Sequence, residues 1–546
     1  MKIRRLFILG LLLFGLYARF ADVGQKVYTV DEVRGILRAS GVTSQEFIDT
    51  VYTGEPLTNS DLQKYQTASV DRPLGAAMSA FANNPEHPPL YYLLMRFSLQ
   101  IFSTAAASRW LAIAFSILLL PATYWLCQIL FASTAVNANA VGWSTVALIA
   151  ISPFHVLLAQ EARQYTIWAL LAVVSSAFLL QALQINRGPE PTTSAQMVST
   201  DPHSKNTWLP WLGYGIAATL GMYSHLFFTW VLVTHGLYVL LSEKFRISQK
   251  LLRYLVTSTG ISIAFSPWVW VVLSRKDQLG RTTKWASTYN SSLLERVEHW
   301  LHNAGIGFID FDWVPGFSNP ISYLILGAIA YSTYQLYRHT PKKVWLFIIL
   351  LMAVSSLAHV IPDVLTGGRR SLLPRYSLIA YLGIEIAVGY AIAQAFNTHK
   401  KSQGEKPKQA TLKQFAAITL ILGSLVSSYL VSQSLGWGKG SSTRTLAATP
   451  LINQVTAPLI LTDADHTYIL SLSHQIPLGT QFILLDPEQT PDYTTALSQI
   501  PINRDFFIYS ASNDLVEFLQ IAPEITLTPQ SREMQSAQLY QAQRRS

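Results

Sequence analysis

Eleven apolar stretches, separated by polar segments, are candidates for transmembrane helices in this chain. A helix needs about twenty predominantly apolar residues to cross a bilayer. The candidate stretches cover residues 4–20, 109–131, 138–158, 165–184, 208–223, 226–242, 253–273, 319–337, 344–361, 377–396 and 414–433. The pattern therefore predicts an all-α polytopic membrane body with about 11 transmembrane helices.

The longest polar interruption follows the first apolar stretch, and we expect it to form a large outer loop over residues 21–108. Within it, the helical spacing of Val33, Ile36 and Leu37 argues against disorder. The segment Pro88–Phe102 is apolar, but it is shorter than a full span and contains an arginine. We interpret it as an interfacial helix on the outer surface, so the loop is expected to roof an active site.

The last part of the chain, residues 434–546, has a different pattern from the membrane body. Short buried strands are predicted at 458–462, 481–485 and 505–509, alternating with helical stretches such as 514–520. We therefore expect a membrane domain over residues 1–433 and a small C-terminal α/β domain on the outer face. The tail has no glycine-rich phosphate loop and no nucleophile motif, so the sequence suggests only packing or acceptor docking for it.

Composition agrees with a membrane protein. Only 13% of the residues are charged and 50% are hydrophobic, whereas soluble proteins carry nearer a quarter of charged residues. The net charge is +9, but the basic residues form short clusters between apolar stretches, so we expect no nucleic-acid partner. The single cysteine, Cys127, lies inside an apolar stretch, so the chain has no disulfide framework.

The basic clusters also predict the orientation, because cytoplasmic loops are enriched in lysine and arginine. With the basic N-terminus inside, eleven spans place the loops 186–207, 243–253, 338–343 and 399–413 inside, and three of these are dense in basic residues. The N-terminal segment resembles a signal peptide but has no small-residue cleavage site, so we interpret it as an anchor. We expect a multi-pass protein of the plasma (inner) membrane, with its N-terminus cytoplasmic and its active site and tail outside.

Two acidic sites fall in the outer segments. Asp31 and Glu32 are adjacent, and such a pair is often only solvated charge or a helix N-terminal turn favoured by the helix dipole. Glu161 and Arg163 lie between two strongly apolar stretches, where charges are costly unless they are paired or line a wet cavity. A functional pair is favoured there, and the alternative is a loop salt bridge at the level of the lipid head groups.

A third candidate is an arginine-rich segment that the topology places outside, against the usual positive-inside bias. Planar guanidinium groups such as those of Arg369, Arg370 and Arg375 suit phosphate oxygens, although arginines also extend to lipid phosphates. His87 precedes two prolines, where a histidine is more often a capping residue than a catalyst. Taken together, these groups are what sugar transfer from a phosphate-linked lipid requires. A carboxylate takes the acceptor proton, and cations hold the leaving phosphate.

The set and order of these motifs resemble the family 39-type glycosyltransferases. The motifs are Asp-Glu at 31–32, His-Pro-Pro-Leu-Tyr-Tyr at 87–92, Ser-Pro-Phe at 152–154, Glu-Ala-Arg-Gln-Tyr at 161–165 and Arg-Arg-Ser-Leu-Leu-Pro-Arg-Tyr at 369–376. Members of this family are membrane enzymes of the GT-C fold, related to protein O-mannosyltransferases and lipid A aminoarabinose transferases. The resemblance covers roughly residues 1–400.

The resemblance implies an inverting transfer of a sugar from a polyprenyl-phosphate donor to a hydroxyl acceptor on the non-cytoplasmic face. It implies that Asp31 is the catalytic base and Glu161 a second active-site acid, while the reverse assignment of Asp31 and Glu32 stays open. His87 stands where some relatives carry a phosphate-binding lysine. Substrate-binding roles are expected for Glu32, His87, Tyr91, Arg163, Tyr165, Arg369, Arg370, Arg375 and Tyr376.

A polytopic transporter or a lipid flippase would also have many spans and scattered charges. Transporters usually place such charges near the bilayer midplane, at broken helices and repeat interfaces. Here the charges cluster in outer loops and no internal repeat is visible. A structural subunit is a further alternative, but it leaves the acidic and arginine motifs without a purpose. The sequence indicates no cofactor, does not decide whether a divalent metal takes part, and leaves open the sugar and the acceptor, which is a lipid, a glycan or a protein.

Overall fold

The computed structural model describes residues 2–69, 72–185, 208–397, 407–489, 492–528 and 539–545. The expected inside loop 186–207 and the larger part of the loop 399–413 lie outside these residues, as do the side chains of Lys2 and Arg4. The positive-inside argument therefore stays a prediction for those three clusters.

Helices make up most of the described chain. The first twelve are α1 (Lys2–Phe20), α2 (Val30–Ala39), α3 (Ser44–Val51), α4 (Asn59–Gln63), α5 (Leu74–Ala82), α6 (Leu90–Phe102), α7 (Ala107–Leu130), α8 (Ala138–Ala150), α9 (Pro153–Ala159), α10 (Tyr165–Ile185), α11 (Leu209–Ser224) and α12 (Phe228–Ser242). The others are α13 (Gln249–Ser274), α14 (Lys276–Ser287), α15 (Leu293–Gly305), α16 (Pro320–His339), α17 (Lys342–Thr366), α18 (Leu378–Ala395), α19 (Pro407–Gln433), α20 (Thr443–Ile452), α21 (His466–Ser473), α22 (Tyr493–Ser498) and α23 (Asn513–Ile521).

Each of the eleven apolar stretches coincides with a helix or, for 138–158, with the pair α8 and α9. Among the described residues, six helices are long and apolar enough to cross a membrane, namely α7, α10, α13, α17, α19 and α18 with the turn before it. The pair α8 and α9, bent by 60°, would make a seventh span. The helical membrane body is thus confirmed, whereas the count of about 11 spans is not.

The helix expected at the end of the first outer loop is present as α6. Its 13 residues extend about 20 Å at 1.5 Å per residue, which is less than the roughly 30 Å of a bilayer core. The two helices α14 and α15, in the loop that follows α13, were not predicted individually. The position of α6 along the membrane surface stays a prediction.

Six strands form one mixed sheet in the described residues. They are β1 (Thr53–Thr58), β2 (Leu459–Thr462), β3 (Gln481–Leu485), β4 (Asp505–Tyr509), β5 (Ile525–Thr528) and β6 (Leu539–Arg544), in the order β1-β3-β2-β4-β6-β5. Strand β2 is parallel to β3 and β4, and these three are the strands that the sequence predicts. Their nearly continuous apolar runs are typical of parallel strands that are buried on both faces.

Strand β1 comes from the first outer loop, not from the tail. It pairs antiparallel with β3, where Pro56 lies opposite Ile483 and Leu57 opposite Phe482. The hydroxyl of Tyr52, just before β1, donates a hydrogen bond to the carbonyl of Ala464 (2.8 Å). The expected boundary at residue 433 therefore divides the chain, but the sheet on its far side includes a strand from the near side.

Candidate active site

Glu32 lies at the centre of a buried ion network at the start of α2. It forms a capping box with Thr29, in which each backbone N–H donates to the other side chain (2.9 and 3.2 Å). Its Oε1 atom also accepts hydrogen bonds from Nε of Arg109 (2.7 Å) and from the N–H of Ala162 (2.8 Å). The side chain of Glu32 has no exposed surface. Through these hydrogen bonds it connects α2 to α7 and to the loop before α10.

Arg109 is itself held from several sides. Its guanidinium group donates to three backbone carbonyls of segment 23–27 (2.7–2.9 Å) and stacks 3.7 Å over the ring of Tyr28. Burial alone would raise the pKa of Glu32, but the charges of Arg109 and Lys439 outweigh it and keep that pKa below its ordinary value. Both carboxylate oxygens of Glu32 are occupied by protein groups, so we assign it to the scaffold rather than to substrate binding.

Lys439 is a residue of the site that the sequence analysis missed. Its ammonium nitrogen lies 3.5 Å from Oε2 of Glu32 and 3.5 Å from Oε1 of Glu161, and its side chain is almost completely buried. It belongs to the segment after α19, in the part of the chain assigned to the tail. A lysine between two glycines in a tail without a recognised motif gives no signal of this contact. Glu161, the predicted second acid, is thus mostly buried and ion-paired.

Asp31, one residue before Glu32, has a different environment. Its side chain is 33% exposed and forms an ion pair with Arg163. Burial tends to raise the pKa of Asp31, but the charges of Arg163 and then Arg375 outweigh this effect and lower the pKa below its ordinary value. The guanidinium of Arg163 also lies 5.0 Å from the ring centre of Tyr165. Asp31 is therefore an ionised carboxylate at neutral pH that remains accessible.

His87 lies in a hydrogen-bonded chain beside this pair. The amide Nε2 of Gln164 donates to Nδ1 of His87 (3.3 Å), and Oε1 of Gln164 accepts from the hydroxyl of Tyr92 (3.0 Å). Burial, together with the charges of Arg38 and Arg163, holds the pKa of His87 well below its ordinary value, so the ring is neutral. A neutral imidazole can orient a substrate by hydrogen bonding but cannot replace the charge of a lysine.

Tyr91 occupies a different place from its neighbour Tyr92. The Tyr91 side chain is fully buried, and its hydroxyl donates to the carbonyl of Ser108 (3.2 Å). We therefore assign Tyr91 to packing between α6 and the start of α7, and Tyr92 takes its place in the chain of contacts with His87.

The backbone at the start of the arginine-rich segment adopts a conformation that requires glycine. Gly368 has a φ of +123°, and a Cβ atom at this position would lie 2.6 Å from Oδ1 of Asp363. The guanidinium of Arg370 lies 3.6 Å from the same carboxylate, and that of Arg369 lies 4.9 Å from the ring centre of Tyr289. Both arginines thus already have protein partners on α17 or just after α14.

Arg375 is the arginine of this segment whose charge acts on Asp31. It is half-buried, and among the described residues its Nε atom has no hydrogen-bond partner. Its guanidinium lies 5.6 Å from the ring centre of Tyr376, and that ring packs 5.1 Å from Phe227 at the start of α12. The Nε atom of Arg369 likewise has no partner among the described residues, so what distinguishes Arg375 is its charge interaction with Asp31.

His225, in the turn between α11 and α12, is a second residue that the sequence analysis missed. Its ring stacks on Trp168 (4.4 Å between centres) and lies 5.9 Å from Tyr165, and its Nδ1 atom accepts from the N–H of Phe227 (3.0 Å). Burial and the charge of Arg163 lower the pKa of His225 to about 3. The short break between two apolar stretches at 223–226 was the one available signal.

The structure thus brings part of the predicted set together. Contacts or direct charge interactions link Asp31, His87, Arg163, Tyr165, Arg375 and Tyr376, with Glu32 and Glu161 in the adjacent buried network. Tyr91, Arg369 and Arg370 make other contacts, as described above. Within the described ranges, no group of three or more His, Cys, Asp or Glu side chains is placed to hold a metal ion.

Comparison with known proteins identifies the fold through structure rather than sequence. No family model matches the sequence, and no curated protein matches it significantly. ArnT from Cupriavidus metallidurans, solved with undecaprenyl phosphate, superposes with a TM-score of 0.50 over 98% of this chain and 97% of that chain, at 13% identity. Its apo structure gives 0.51 over 97% and 96%, at 12% identity. The archaeal oligosaccharyltransferase AglB from Archaeoglobus fulgidus superposes less well, with a TM-score of 0.45 over 93% of this chain and 70% of that chain, at 10% identity. The likeness to ArnT extends over nearly the whole of both chains, so the chain has the GT-C fold that its motifs led us to expect.

Proposed function

We propose that the protein is a membrane glycosyltransferase. It transfers a sugar from a polyprenyl-phosphate-linked donor to a hydroxyl acceptor on the non-cytoplasmic face of the membrane, with inversion at the anomeric carbon. The shared fold supports this proposal, because ArnT has been solved with undecaprenyl phosphate bound. The observation that carries the proposal is the ion pair between Asp31 and Arg163, together with the charge of Arg375 that acts on the same carboxylate.

Asp31 acts as the general base. An alcohol is a poor nucleophile at neutral pH, so a carboxylate must take its proton as the new bond forms. The acceptor oxygen then bonds to the anomeric carbon, and the bond from that carbon to the phosphate oxygen breaks, with the electron pair leaving on the phosphate. Attack from the face opposite the leaving phosphate inverts the anomeric configuration. Asp31 is suited to this role because it is ionised and partly exposed, whereas Glu32 is enclosed.

Arg163 and Arg375 hold the phosphate as its negative charge develops. A guanidinium group can donate two parallel hydrogen bonds to phosphate oxygens. Because Arg163 is paired with Asp31 before the donor binds, a bound phosphate competes for its charge. The pKa of Asp31 then rises towards its ordinary value, which makes the carboxylate a stronger base when the donor is in place.

The test is sugar transfer by the purified, reconstituted protein. Labelled polyprenyl-phosphate sugars are incubated with extracted envelope material, and the fraction that gains label is identified. The Asp31→Asn variant keeps the size of the side chain but cannot accept a proton. We expect its rate to fall by about 10²–10⁴-fold, while it still binds the donor.

The matched control is Asp514→Asn, on the exposed first turn of α23, which should leave the rate unchanged. Near-full transfer by Asp31→Asn would remove Asp31 as the base. Movement of the labelled lipid across the vesicle membrane without transfer of its sugar would indicate that the protein is a lipid flippase and not a glycosyltransferase.

A further inference from the structure

A second, strongly basic cleft lies beside the candidate active site. It has a volume of about 660 Å³ and is bounded by α2, α5 and the junction of α13 and α14, with His466 of the tail at one wall. Its volume is within the range of about 300–1,000 Å³ that is typical of small-molecule sites. None of the residues assigned above to catalysis or to the donor phosphate lines it.

Four arginines face one carboxylate in this cleft. The arginines are Arg34, Arg38, Arg275 and Arg281, and the carboxylate is Asp277. Among the described residues, no acidic side chain lies within ion-pair distance of any of the four. The lining itself therefore carries an excess of positive charge, although Asp31 and Glu86 act on Arg38, and Asp465 on Arg34, from outside the lining.

Arg38 lies at the wall of this cleft and is almost completely buried. Only 5% of its surface is exposed, and its Nε atom donates a hydrogen bond to the carbonyl of Arg34 (3.1 Å). Its Nη1 atom is buried and has no hydrogen-bond partner in the described part of the chain. A buried guanidinium N–H without a partner is costly, and an anion in the cleft would satisfy it with a charge-assisted hydrogen bond.

The cleft starts next to the proposed base. Arg34 and Arg38 follow Asp31 by three and seven residues on α2, which is the spacing of one helix face. Arg34 contributes to the charge environment of Asp31, and Arg38 to that of His87. A molecule held by these arginines would therefore lie on the face of α2 that also carries Asp31.

The rest of the lining indicates the chemical class of that molecule. It is mostly hydroxyl and amide side chains, such as Thr43, Ser44, Asn83, Asn84 and Gln278, and it contains no Phe, Tyr or Trp. Such groups suit a ligand rich in hydroxyls. We propose that the cleft is the acceptor site and that the acceptor is an acidic saccharide, whose carboxylate or phosphate group binds Arg38. This proposal rests on the proposed glycosyltransferase function, because only a transferase has an acceptor. Binding of an acidic saccharide to the cleft can nevertheless be tested on its own.

The experiment measures binding of trigalacturonate to the full-length protein in detergent, by calorimetry at low salt. We expect saturable binding of trigalacturonate and none of the neutral trisaccharide maltotriose. Arg38→Gln should weaken binding by about tenfold or more, because it removes a charge-assisted contact. Since Arg38 is buried, the exposed pair Arg275→Gln and Arg281→Gln is tested in parallel and should weaken binding without loss of folding.

The matched control is Arg338→Gln, at the exposed end of α16, which should bind as the parent does. The proposal is overturned by any of three results: equal binding of maltotriose, tighter binding of triglutamate, or binding of inorganic phosphate as tight as that of the saccharide. Undecaprenyl phosphate binding and sugar transfer are measured on the same preparation. If the protein binds undecaprenyl phosphate and transfers sugar but does not bind trigalacturonate, the proposal that the cleft is the acceptor site is rejected. If it binds trigalacturonate but neither binds undecaprenyl phosphate nor transfers sugar, the proposed function is rejected.

Discussion

Two adjacent carboxylates have different environments in this structure, and the difference between them is burial. Glu32 has no exposed surface and is enclosed by Thr29, Arg109 and Lys439. Asp31 is one-third exposed and has Arg163 as its ion-pair partner. The side chain that the protein satisfies completely becomes scaffold, and the neighbour that keeps an open side becomes the candidate base.

Glu32→Gln is expected to destabilise the protein at neutral pH. The pKa of Glu32 is lowered in the folded state, so its carboxylate contributes to stability above the unfolded value of about 4.3, and that contribution is lost as pH falls below it. The difference in melting temperature between parent and Glu32→Gln should therefore be large at pH 7 and shrink towards pH 3.

Thermal unfolding in detergent at both pH values measures this difference. Glu55→Gln, exposed on β1, is the control and should be neutral at either pH. A difference for Glu32→Gln that stays the same at pH 3 would mean that the buried network does not depend on this charge.

Arg375→Lys tests the donor phosphate. The substitution keeps the positive charge but loses the two-pronged guanidinium, so we expect the affinity for undecaprenyl phosphate to fall by about tenfold or more. Binding to the purified, folded variant is the measurement. Arg369→Lys is the comparison in the same segment, and it should have a smaller effect because Arg375 is the arginine of this segment whose charge acts on Asp31. Equal donor affinity in the parent and Arg375→Lys would leave Arg375 as a contact to lipid head groups.

At the scale of elements, the sequence was informative where the pattern is local. The apolar stretches locate the membrane helices, and the three apolar runs of the tail locate β2, β3 and β4, because periodicity and length report burial directly. The capping box of Thr29 and Glu32 was also present in the sequence as a Thr-x-x-Glu spacing, and it could have assigned Glu32 to the scaffold.

What the sequence did not reveal depends on contacts between distant segments. Strands β1 and β3 pair although they are more than four hundred residues apart in the sequence. Lys439, which follows α19 in the sequence, contacts Glu32 on α2. Lys26 makes a similar link, donating to the carbonyls of Val431 and Ser434 (3.0 and 2.5 Å). No local pattern encodes such pairings, so the sequence analysis did not predict that the tail contacts the first outer loop and the surroundings of the site.

Lys439→Met tests this link between elements. Removing Lys439 leaves Glu161 without its ion-pair partner and Glu32 with Arg109 alone, and breaking a buried ion network in this way typically costs about 3–5 kcal/mol. We expect a clearly lower melting temperature and faster proteolysis of the first outer loop. Lys64→Met removes an exposed pair with Asp61, which should contribute little to stability, and is the control. Equal stability of the two variants would show that Lys439 does not hold the tail to the loop.

At the scale of the whole molecule, the fold is established while the orientation is a prediction, and the orientation decides which compartment supplies the acceptor. Charge counting places the loop after α16 in the cytoplasm and the segment before α16 outside. Because Cys127 is buried and is the only cysteine, single introduced cysteines can report the side directly. Three exposed positions serve for this, Ser318, Lys343 and Glu488.

We expect Ser318→Cys and Glu488→Cys to react with a membrane-impermeant maleimide in intact cells, and Lys343→Cys to react only after permeabilisation. The parent protein, with Cys127 alone, is the control for background labelling. Only α16 separates residues 318 and 343, so they must report opposite sides if that helix crosses the membrane. Labelling of Lys343→Cys but not of Ser318→Cys in intact cells would reverse the orientation and place Asp31 in the cytoplasm. Labelling of both Ser318→Cys and Lys343→Cys from outside would mean that α16 does not span, and the count of about 11 would have to be lowered.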